Sequence, residues 1–494
     1  MEVGLFVLSL GIAPLGCGCK HADSRPVEIM TFNRTSGAAT GPLRVLVTNP
    51  HYFTDGKGKA IYLVGSHTWS NFQDKGTTYP PPPFDYNRYI NFLVYHNLNF
   101  FRLYEWTLSN GGTATERYEP QSGPYWPWQR IGPGTANDGK PKTDFTKFDL
   151  RYFDRMRQRI IKAGQNGIYV AVMLFNAFEF QYDVNSADGN PFEISNNVNG
   201  INCGSTCPID FRMTLSAGAW SIEQAYIRKV IDTVDDLDNV LYEVGNEPPS
   251  PTSDTWQEEV IAYVKSYEAT KPKQHPVGMN PGTGTKDATL YASAADWVSP
   301  GGILPSVNVT TKIVVSDTDH SCYYTCLKAL GEAGQRAWAW KNFSYGNNLL
   351  FMDPYLTQWS DRNSPGGICS GGQCTIPDPY WDIIRNAMGQ TLSYAQKINL
   401  AAMTPQSDLS STGYCLASPG SEYLIYKPKT GGWKSYFASL GRSFTLTLVA
   451  GTYNFEWFNP SSGEVAATGI ITANGGDQSF TAPFSGDAVL WLHK

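Results

Sequence analysis

The chain has 494 residues, of which 41% are hydrophobic and 17% are charged. This length and balance are typical of one large globular core joined to a smaller module. The formal net charge is -6 and no block of Lys or Arg occurs, so nucleic acid and an anionic membrane surface are excluded as main partners. Neutral or cationic ligands fit this charge better.

An apolar run at residues 5–13 is too short to span a bilayer but has the length of a signal-peptide core. We therefore predict an export signal within residues 1–25, although Glu2 stands where a positive charge is usual. The tripeptide at residues 15–17 resembles a bacterial lipoprotein cleavage site, so Cys17 is a candidate lipid anchor. A secreted or cell-envelope protein without a transmembrane span is expected.

Nine cysteines are present, and six of them form three closely spaced pairs in polar, Gly-rich segments. Such pairs favour local disulfides and an oxidising compartment. The pairs are Cys203/Cys207, Cys322/Cys326 and Cys369/Cys374. Cys415 is left over, and His320 beside Cys322 leaves a Cys/His metal site open as a minority alternative.

Residues 42–403 alternate short β-branched runs with helical segments, which is the pattern of parallel strands with crossover helices. Eight such units fit a (β/α)8 barrel, the TIM-barrel fold, in length. The predicted strands lie at residues 60–65, 100–104, 168–174, 240–244, 276–279, 297–298, 312–316 and 336–340. Residues 410–494 alternate strands with turns, which predicts a C-terminal antiparallel β-sandwich.

Two of the predicted strands end in acids. Glu247 follows strand four in Asn246-Glu247-Pro248, where Pro248 cannot continue the ladder. Asp317 ends strand seven and is the first candidate for the partner acid. Asp319 is the second candidate, and the two aspartates are expected on opposite sides of the backbone. Catalytic groups of such barrels sit at the carboxyl ends of strands, and glycosidic bond cleavage requires two carboxyl groups. The alternative is that these acids only cap helices or hold turns.

These features resemble clan A glycoside hydrolases, the superfamily that includes the family 5 cellulases. The resemblance covers most of residues 42–403, and residues 421–494 resemble a sandwich module whose family nickname refers to collagen binding. It implies roles for five residues. Glu247 would be the general acid/base, Asn246 would bind the sugar 2-hydroxyl, and Asp317 would be the nucleophile. Arg102 on strand two would keep Asp317 ionised, and Trp340 ending strand eight would form part of the sugar platform.

Other strand ends offer further groups that could line the cleft. Strand one is followed by His67 and Trp69, strand three by Asn176 and strand five by Asn280. Glu105 after strand two is a second-choice acid, or a residue that orders Arg102. The long loops at residues 109–142 and 182–216 would shape the same rim.

One departure from the resemblance concerns the nucleophile, which is usually Glu in this clan and is Asp here. Retention with double displacement is still expected, with a carbohydrate substrate and neither cofactor nor metal. Two rivals remain open. A non-catalytic carbohydrate-binding or adhesion protein would tolerate the shorter acid, whereas a metal-dependent hydrolase lacks a His-x-His or His-Glu-x-x-His pattern.

Overall fold

A computed structural model of the chain describes residues 37–76, 80–107, 121–123, 125–177, 189–201, 217–248, 252–282, 285–301, 306, 311–319, 327, 329–355, 369–370, 373–374, 379–429 and 441–494. The predictions for the leader, Cys17, Cys203/Cys207 and Cys322/Cys326 lie outside these residues. No helix in the described part of the chain is long and apolar enough to cross a bilayer.

Eight parallel strands close into a barrel, which confirms the predicted fold class. Consecutive strands pair around the barrel, and β8 closes it against β1 with Leu350 opposite Gly65. The strands are β1 (Val64–His67), β2 (Phe100–Leu103), β3 (Tyr169–Asn176), β4 (Val240–Asn246), β5 (Val277–Met279), β6 (Trp297–Val298), β7 (Ile313–Asp317) and β8 (Asn348–Met352). All are buried on both faces, as parallel strands covered by helices require.

The helices are α1 (Tyr86–Tyr95), α2 (Leu150–Gln165), α3 (Ala217–Val234), α4 (Thr252–Glu268), α5 (Asp287–Ala292), α6 (Gly331–Ser344) and α7 (Asp382–Lys397). Side-chain caps begin two of them. Asp85 accepts the backbone N–H of Arg88 at the start of α1, and Asp149 accepts that of Arg151 at the start of α2. These caps satisfy donors that have no partner within the helix.

The prediction of the eighth strand was wrong. Residues 336–340 lie inside helix α6, and the strand that closes the barrel is Asn348–Met352. Trp340 is fully buried in the helix and stacks on Tyr426 at 6.2 Å between ring centroids. It also packs against Tyr394 and Phe458, so its predicted place at a strand end beside the sugar no longer holds.

Short two-stranded β-ladders lie outside the barrel sheet. The longest is a rim hairpin, defined by the antiparallel strands Trp128–Thr135 and Pro141–Phe148, between β2 and α2. The others pair Arg44–Val45 with Phe53–Thr54, Lys75–Gly76 with Gln121–Ser122, and Cys369–Ser370 with Gln373–Cys374. In the last ladder Cys369 lies directly opposite Cys374, while a disulfide between them stays a prediction. Single turns of 3-10 helix lie at Ile194–Asn196, Pro379–Trp381, Leu400–Ala402 and Ser407–Leu409.

The C-terminal region holds a six-stranded antiparallel sheet and a two-stranded partner. The strands are β9 (Thr404–Pro405), β10 (Cys415–Ser418), β11 (Glu422–Lys427), β12 (Ser443–Leu448), β13 (Gly451–Asn459), β14 (Glu464–Ala473), β15 (Gly476–Thr481) and β16 (Ala488–His493). Spatial order in the large sheet is β9-β10-β11-β16-β13-β14, and β12 pairs with β15. Cys415 is a buried free thiol, and burial raises its pKa to about 12.

The large sheet is buried on both faces where it meets the barrel. In β11, Tyr423 and Ile425 face the small sheet, whereas Leu424 and Tyr426 belong to the barrel core. The two-residue period of a strand produces this division. Arg336 of α6 adds an ion pair with Asp487 at 3.0 Å, so the sheet is docked on the outside of the barrel by apolar and polar contacts together.

Candidate active site

Strand alternation carries three charged side chains into the barrel. Phe100, Leu241 and Ile313 belong to one apolar cluster, while their chain neighbours pack into the separate helix-facing core. Residues two positions further along share the same face of each strand. Arg102 on β2, Glu243 on β4 and Asp317 on β7 therefore point inward. They lie closer to the carboxyl ends of their strands than the apolar cluster does.

Arg102 joins these strands through its guanidinium group. Its Nε donates to Glu243 Oε2 at 2.6 Å, and its Nη2 donates to Asp317 Oδ2 at 2.8 Å. Nη1 lies 3.6 Å from Asp319 Oδ2. Burial lowers the pKa of Arg102, but the charges of Glu243 and Asp317 raise it more, so it lies above the ordinary value. A single cation thus faces three carboxyl groups.

Asp317 and Asp319 lie on the same side of the chain, contrary to the expectation that they would diverge. Both approach Arg102, and the backbone N–H of Asp319 donates to Asp317 Oδ1 at 2.9 Å. The strand ends at Asp317 and the chain bends at Thr318, so the turn closed by this hydrogen bond keeps both aspartates on one side. Asp319 Oδ2 has no hydrogen-bond partner among the described residues, so one carboxyl oxygen remains available to a ligand.

The carboxyl groups of Asp319 and Glu243 both hold protons more tightly than ordinary ones. Burial raises the pKa of Asp319 well above its usual value, and the nearby Asp317 and Glu247 raise it further. Burial also raises the pKa of Glu243, although Arg102 opposes that shift. One guanidinium compensates only one full negative charge, so the cluster favours neutral forms for the remaining acids.

Glu247 follows β4 in an unusual backbone conformation. Its φ is 48°, in the left-handed region that residues other than glycine rarely occupy. The side chain is half-buried, unlike the fully buried Asn246 before it. The following Pro248 disfavours a right-handed helical conformation at this position. The turn therefore directs the carboxyl group of Glu247 away from the end of the strand. It remains close enough to Asp319 to raise the pKa of Asp319.

Register brings two of the predicted asparagines side by side. Asn246 and Asn176 are paired residues of β4 and β3. The side-chain nitrogen of Asn246 donates to the Tyr104 hydroxyl at 3.0 Å and to Asn176 Oδ1 at 3.3 Å. Its Oδ1 atom has no hydrogen-bond partner among the described residues. Asn246 is therefore held in a fixed orientation with one acceptor unused.

His67 at the end of β1 is fully buried beside Asp317. Its Nε2 lies 3.9 Å from Asp317 Oδ1, and its ring stacks on Tyr104 at 6.0 Å. Burial lowers the pKa of His67, although Asp317 opposes the shift, so the imidazole is neutral near pH 7. Neither ring nitrogen has a hydrogen-bond partner within the described residues, which is costly for a buried polar group unless a ligand or water bonds to it.

A metal could be held only by the same group of side chains, as far as the described residues show. One ligand atom each from His67, Asp317 and Asp319 lie within 4.8 Å of one another. His nitrogen and carboxylate oxygen are suitable donors for several divalent ions. Arg102, however, already places a positive charge against both aspartates, and like charges at this distance repel strongly in a buried site.

Three other predicted residues make different contacts. Asn280 follows β5 and donates to Glu243 Oε1, so it helps to orient the Glu243 carboxyl group. Trp69 is largely buried, and its backbone oxygen accepts the indole N–H of Trp106 at 2.6 Å. Glu105 accepts the Thr107 hydroxyl at 2.7 Å. Burial raises the pKa of Tyr152 on α2 and of Tyr226 on α3, and the charge of Glu105 raises both further.

Two residues of this site were missed in the sequence. Glu243 lies inside the apolar run of β4 and binds Arg102, and Tyr104 continues β2 to reach Asn246. A signal for Glu243 exists, because an acid within a buried strand needs a cationic or hydrogen-bonding partner. No comparable sequence signal distinguishes Tyr104 from the other tyrosines.

Solved structures with the same architecture were found by structural comparison. A glycoside hydrolase matches with a TM-score of 0.57 at 12% identity, over 93% of this chain and 99% of its own. A family 5 glycoside hydrolase from Bacteroides vulgatus matches with a TM-score of 0.57 at 13% identity, over 93% and 95%. A second Bacteroides vulgatus protein, classed provisionally as a glycoside hydrolase, gives 0.61 at 14%, over 92% and 82%.

The barrel and its C-terminal sheets thus have the fold of known glycoside hydrolases. At these identities the likeness concerns the fold alone. No protein-family model matches the chain, and no curated protein sequence does. An activity must therefore be inferred from the geometry at the carboxyl ends of the strands.

Proposed function

We propose that the chain is a glycoside hydrolase that cleaves O-glycosidic bonds of an oligo- or polysaccharide. The supporting observation is that Asp317 and Asp319 at the end of β7 lie against one buried arginine, while Glu247 at the end of β4 lies close enough to Asp319 to raise the pKa of that aspartate. Arg102 binds Asp317, and Glu247 influences the neighbouring Asp319. Two carboxyl groups on either side of a glycosidic bond are the chemical requirement of this reaction.

In the proposed mechanism Asp317 is the nucleophile and Glu247 the acid/base. Asp317 attacks the anomeric carbon while Glu247 gives its proton to the leaving oxygen, so a glycosyl ester forms and the glycosidic C–O bond breaks. Glu247 then takes a proton from water, whose oxygen attacks the same carbon and releases Asp317. The retained configuration and the assignment of the nucleophile are both part of the proposal.

The contacts of the two aspartates favour Asp317 over Asp319 for the nucleophile. Asp317 receives a charge-assisted hydrogen bond from Arg102, which favours an ionised carboxyl group. Asp319 has a raised pKa and an unbonded oxygen, so in neutral form it can donate a hydrogen bond to a sugar oxygen. Trapping with 2-deoxy-2-fluoroglycosides and peptide mass spectrometry tests this choice. A label on Asp319 would reverse the two roles.

The acids are tested by isosteric substitutions across a panel of aryl glycosides and polysaccharides. Glu247→Gln and Asp317→Asn should each lower kcat by at least about 100-fold, and azide should partly restore Asp317→Asn with inverted product. Glu259→Gln and Asp408→Asn, at exposed acids, serve as matched controls. Turnover that survives both active-site substitutions at the wild-type rate rules out the mechanism.

The shorter nucleophile supports the rival of a non-catalytic carbohydrate-binding protein. Such a protein would bind a saccharide in the same cleft, and Asp319→Asn and Glu247→Gln would alter affinity without any turnover to lose. Calorimetric binding together with the absence of product over the whole substrate panel would support this rival. Release of a reducing sugar by the wild-type chain excludes it.

Export belongs to the same proposal, and it rests on the leader sequence alone. A secreted or envelope-bound enzyme would meet polysaccharide outside the cell. Labelled palmitate should enter the wild-type chain but not a Cys17→Ala variant if Cys17 is lipidated. Equal recovery of unlabelled protein from the medium for both variants would indicate plain secretion instead.

A further inference from the structure

Thr318 separates Asp317, the last residue of β7, from Asp319. It is buried, and its backbone N–H donates to the Leu350 carbonyl of β8 at 3.1 Å. If the parallel ladder continued, the Met352 N–H would donate to the Thr318 carbonyl. The Met352 N–H donates instead to the Thr318 hydroxyl oxygen at 2.9 Å. The side chain therefore continues the ladder by one bond after the strand itself has ended.

This use of a hydroxyl in place of a carbonyl coincides with the bend of the chain after β7. The backbone bends at Thr318, and the turn is closed by the Asp319 N–H, which donates to Asp317 Oδ1 at 2.9 Å. The N–H and the hydroxyl of Thr318 both bond to β8. The middle of the bend is therefore fixed, and the residues on either side of it carry the two carboxyl groups that approach Arg102 at 2.8 and 3.6 Å.

The end of β8 that carries this donor is itself anchored. The backbone N–H of Asp353 donates to the His67 carbonyl of β1 at 2.8 Å, and its carboxyl group accepts the Ser66 hydroxyl at 2.8 Å. Arg385 of α7 donates to both oxygens of the same carboxyl group. Asp353 and Arg385 are fully buried. The N–H that bonds to Thr318 therefore belongs to a strand held by its neighbour and by a helix, which is the support that a precise site requires.

We propose that Thr318 is a positioning residue, whose hydroxyl fixes the carboxyl groups of Asp317 and Asp319 against Arg102. This inference rests on the proposed function and adds a residue that acts through the two aspartates. Displacement of a reacting group by about 1 Å can cost on the order of 100-fold in rate. Loss of the hydroxyl would leave the buried Met352 N–H without its acceptor, so the bend would loosen and both carboxyl groups would move.

Two substitutions separate the hydroxyl of Thr318 from the shape of its side chain. Thr318→Val keeps the shape and removes the hydroxyl, whereas Thr318→Ser keeps the hydroxyl. On the aryl glycoside that the wild-type chain cleaves fastest, Thr318→Val should lower kcat at least about tenfold and change KM by less than about threefold. Thr318→Ser should stay within about threefold of the wild-type kcat. Thr54→Val is the matched control and should leave kcat unchanged, because Thr54 is buried far along the chain and its hydroxyl also accepts a backbone N–H, from Gly56 at 3.2 Å.

Amide hydrogen exchange of the full chain measures the same contacts without any substrate. The N–H groups of Asp319 and Met352 are both hydrogen-bonded at this bend. In Thr318→Val they should exchange at least about tenfold faster than in the wild type, as followed by mass spectrometry of peptides that cover residues 313–319 and 348–353. Thr318→Ser and Thr54→Val should show the wild-type rates. Unchanged exchange in Thr318→Val overturns the inference.

The outcomes separate this inference from the proposed function. Faster exchange in Thr318→Val with an unchanged kcat shows that Thr318 serves only the fold, which overturns its role in positioning and leaves the glycosidase proposal intact. An equal loss of kcat in Thr318→Ser and Thr318→Val overturns the role of the hydroxyl. A wild-type chain that cleaves no glycoside of the panel rejects the proposed function. Faster exchange in Thr318→Val alone then supports the hydroxyl as the group that fixes the two aspartates.

Discussion

Arg102 Nη2 donates to Asp317 Oδ2 at 2.8 Å, and both side chains are fully buried. This contact joins the second barrel strand to the seventh across the interior. The same guanidinium binds Glu243 on the fourth strand. One side chain therefore links three barrel strands and fixes the position of Asp317.

Arg102→Met should destabilise the fold by about 3–5 kcal/mol at pH 7, because it leaves buried carboxyl groups without their cation. Arg102→Lys keeps the charge, but an ammonium group cannot reproduce both hydrogen bonds, to Glu243 and to Asp317. We therefore expect a smaller loss of stability and a large loss of kcat. Denaturant unfolding measures the first effect. Arg151→Lys, at a surface pair with Asp149 whose arginine is 68% exposed, should change stability by less than about 1 kcal/mol.

Asp319→Asn should change the pH dependence of stability. The pKa of Asp319 is raised in the folded state above 3.8, so the folded chain binds this proton more tightly than the unfolded chain. The stability gained from this tighter proton binding is fully present below the pKa of the unfolded chain, and it is lost as pH rises through the pKa of the folded chain. Relative to the wild type, the free energy of unfolding of Asp319→Asn should therefore rise by about 1.4 kcal/mol per pH unit between the two pKa values.

Unfolding free energies of both proteins, measured from pH 4 to pH 8, test this expectation. Asp408→Asn at an exposed aspartate should follow the wild-type curve throughout. Parallel curves for wild type and Asp319→Asn would contradict the raised pKa and leave Asp319 as an ordinary carboxylate.

Seven of the eight barrel strands could be predicted because each is a short apolar run between polar turns. The eighth could not. Residues 336–340 carry two tryptophans and resemble a strand, but they lie within a helix that starts at Gly331. The true strand, Asn348–Met352, contains a run of only four apolar residues, and periodicity does not distinguish such a run from a buried helix segment.

The candidate site was predictable where strand order alone decides position. Glu247, Asp317 and Arg102 follow from their places at strand ends, because parallel strands deliver their carboxyl ends to one rim. The position of Glu243 depends on a partner across the barrel, and the shared side of Asp317 and Asp319 depends on the bend of the chain directly after β7. Such relationships arise only in the folded chain.

Glu247→Gly should be more stable than Glu247→Gln by about 1 kcal/mol. Glycine occupies the left-handed region freely, whereas a residue with a Cβ atom pays roughly 1–2 kcal/mol there, and Glu247 has a φ of 48°. Both variants should lack activity, since neither can give a proton to the leaving oxygen. Thermal or denaturant unfolding distinguishes them. A glutamine variant as stable as the glycine variant would show that no strain is stored at this position.

Trp340→Ala should cost about 3–5 kcal/mol in stability, because a large buried aromatic leaves a cavity. The ring lies between helix α6 and the C-terminal sheet, 6.2 Å from Tyr426 and 5.9 Å from Phe458. Barrel and sheet should therefore unfold together at a lower temperature, as followed by calorimetry. Trp220→Ala, at a half-buried tryptophan on α3, should cost less.

The activity of Trp340→Ala decides between two positions for this side chain. A sugar platform at a strand end would make the substitution raise KM or lower kcat even where the protein is fully folded. A helix residue packed against the C-terminal sheet has no contact with the acids, so kcat/KM at 20 °C should stay within about twofold of the wild-type value. A large loss of kcat/KM in folded Trp340→Ala would contradict its observed burial between the two regions.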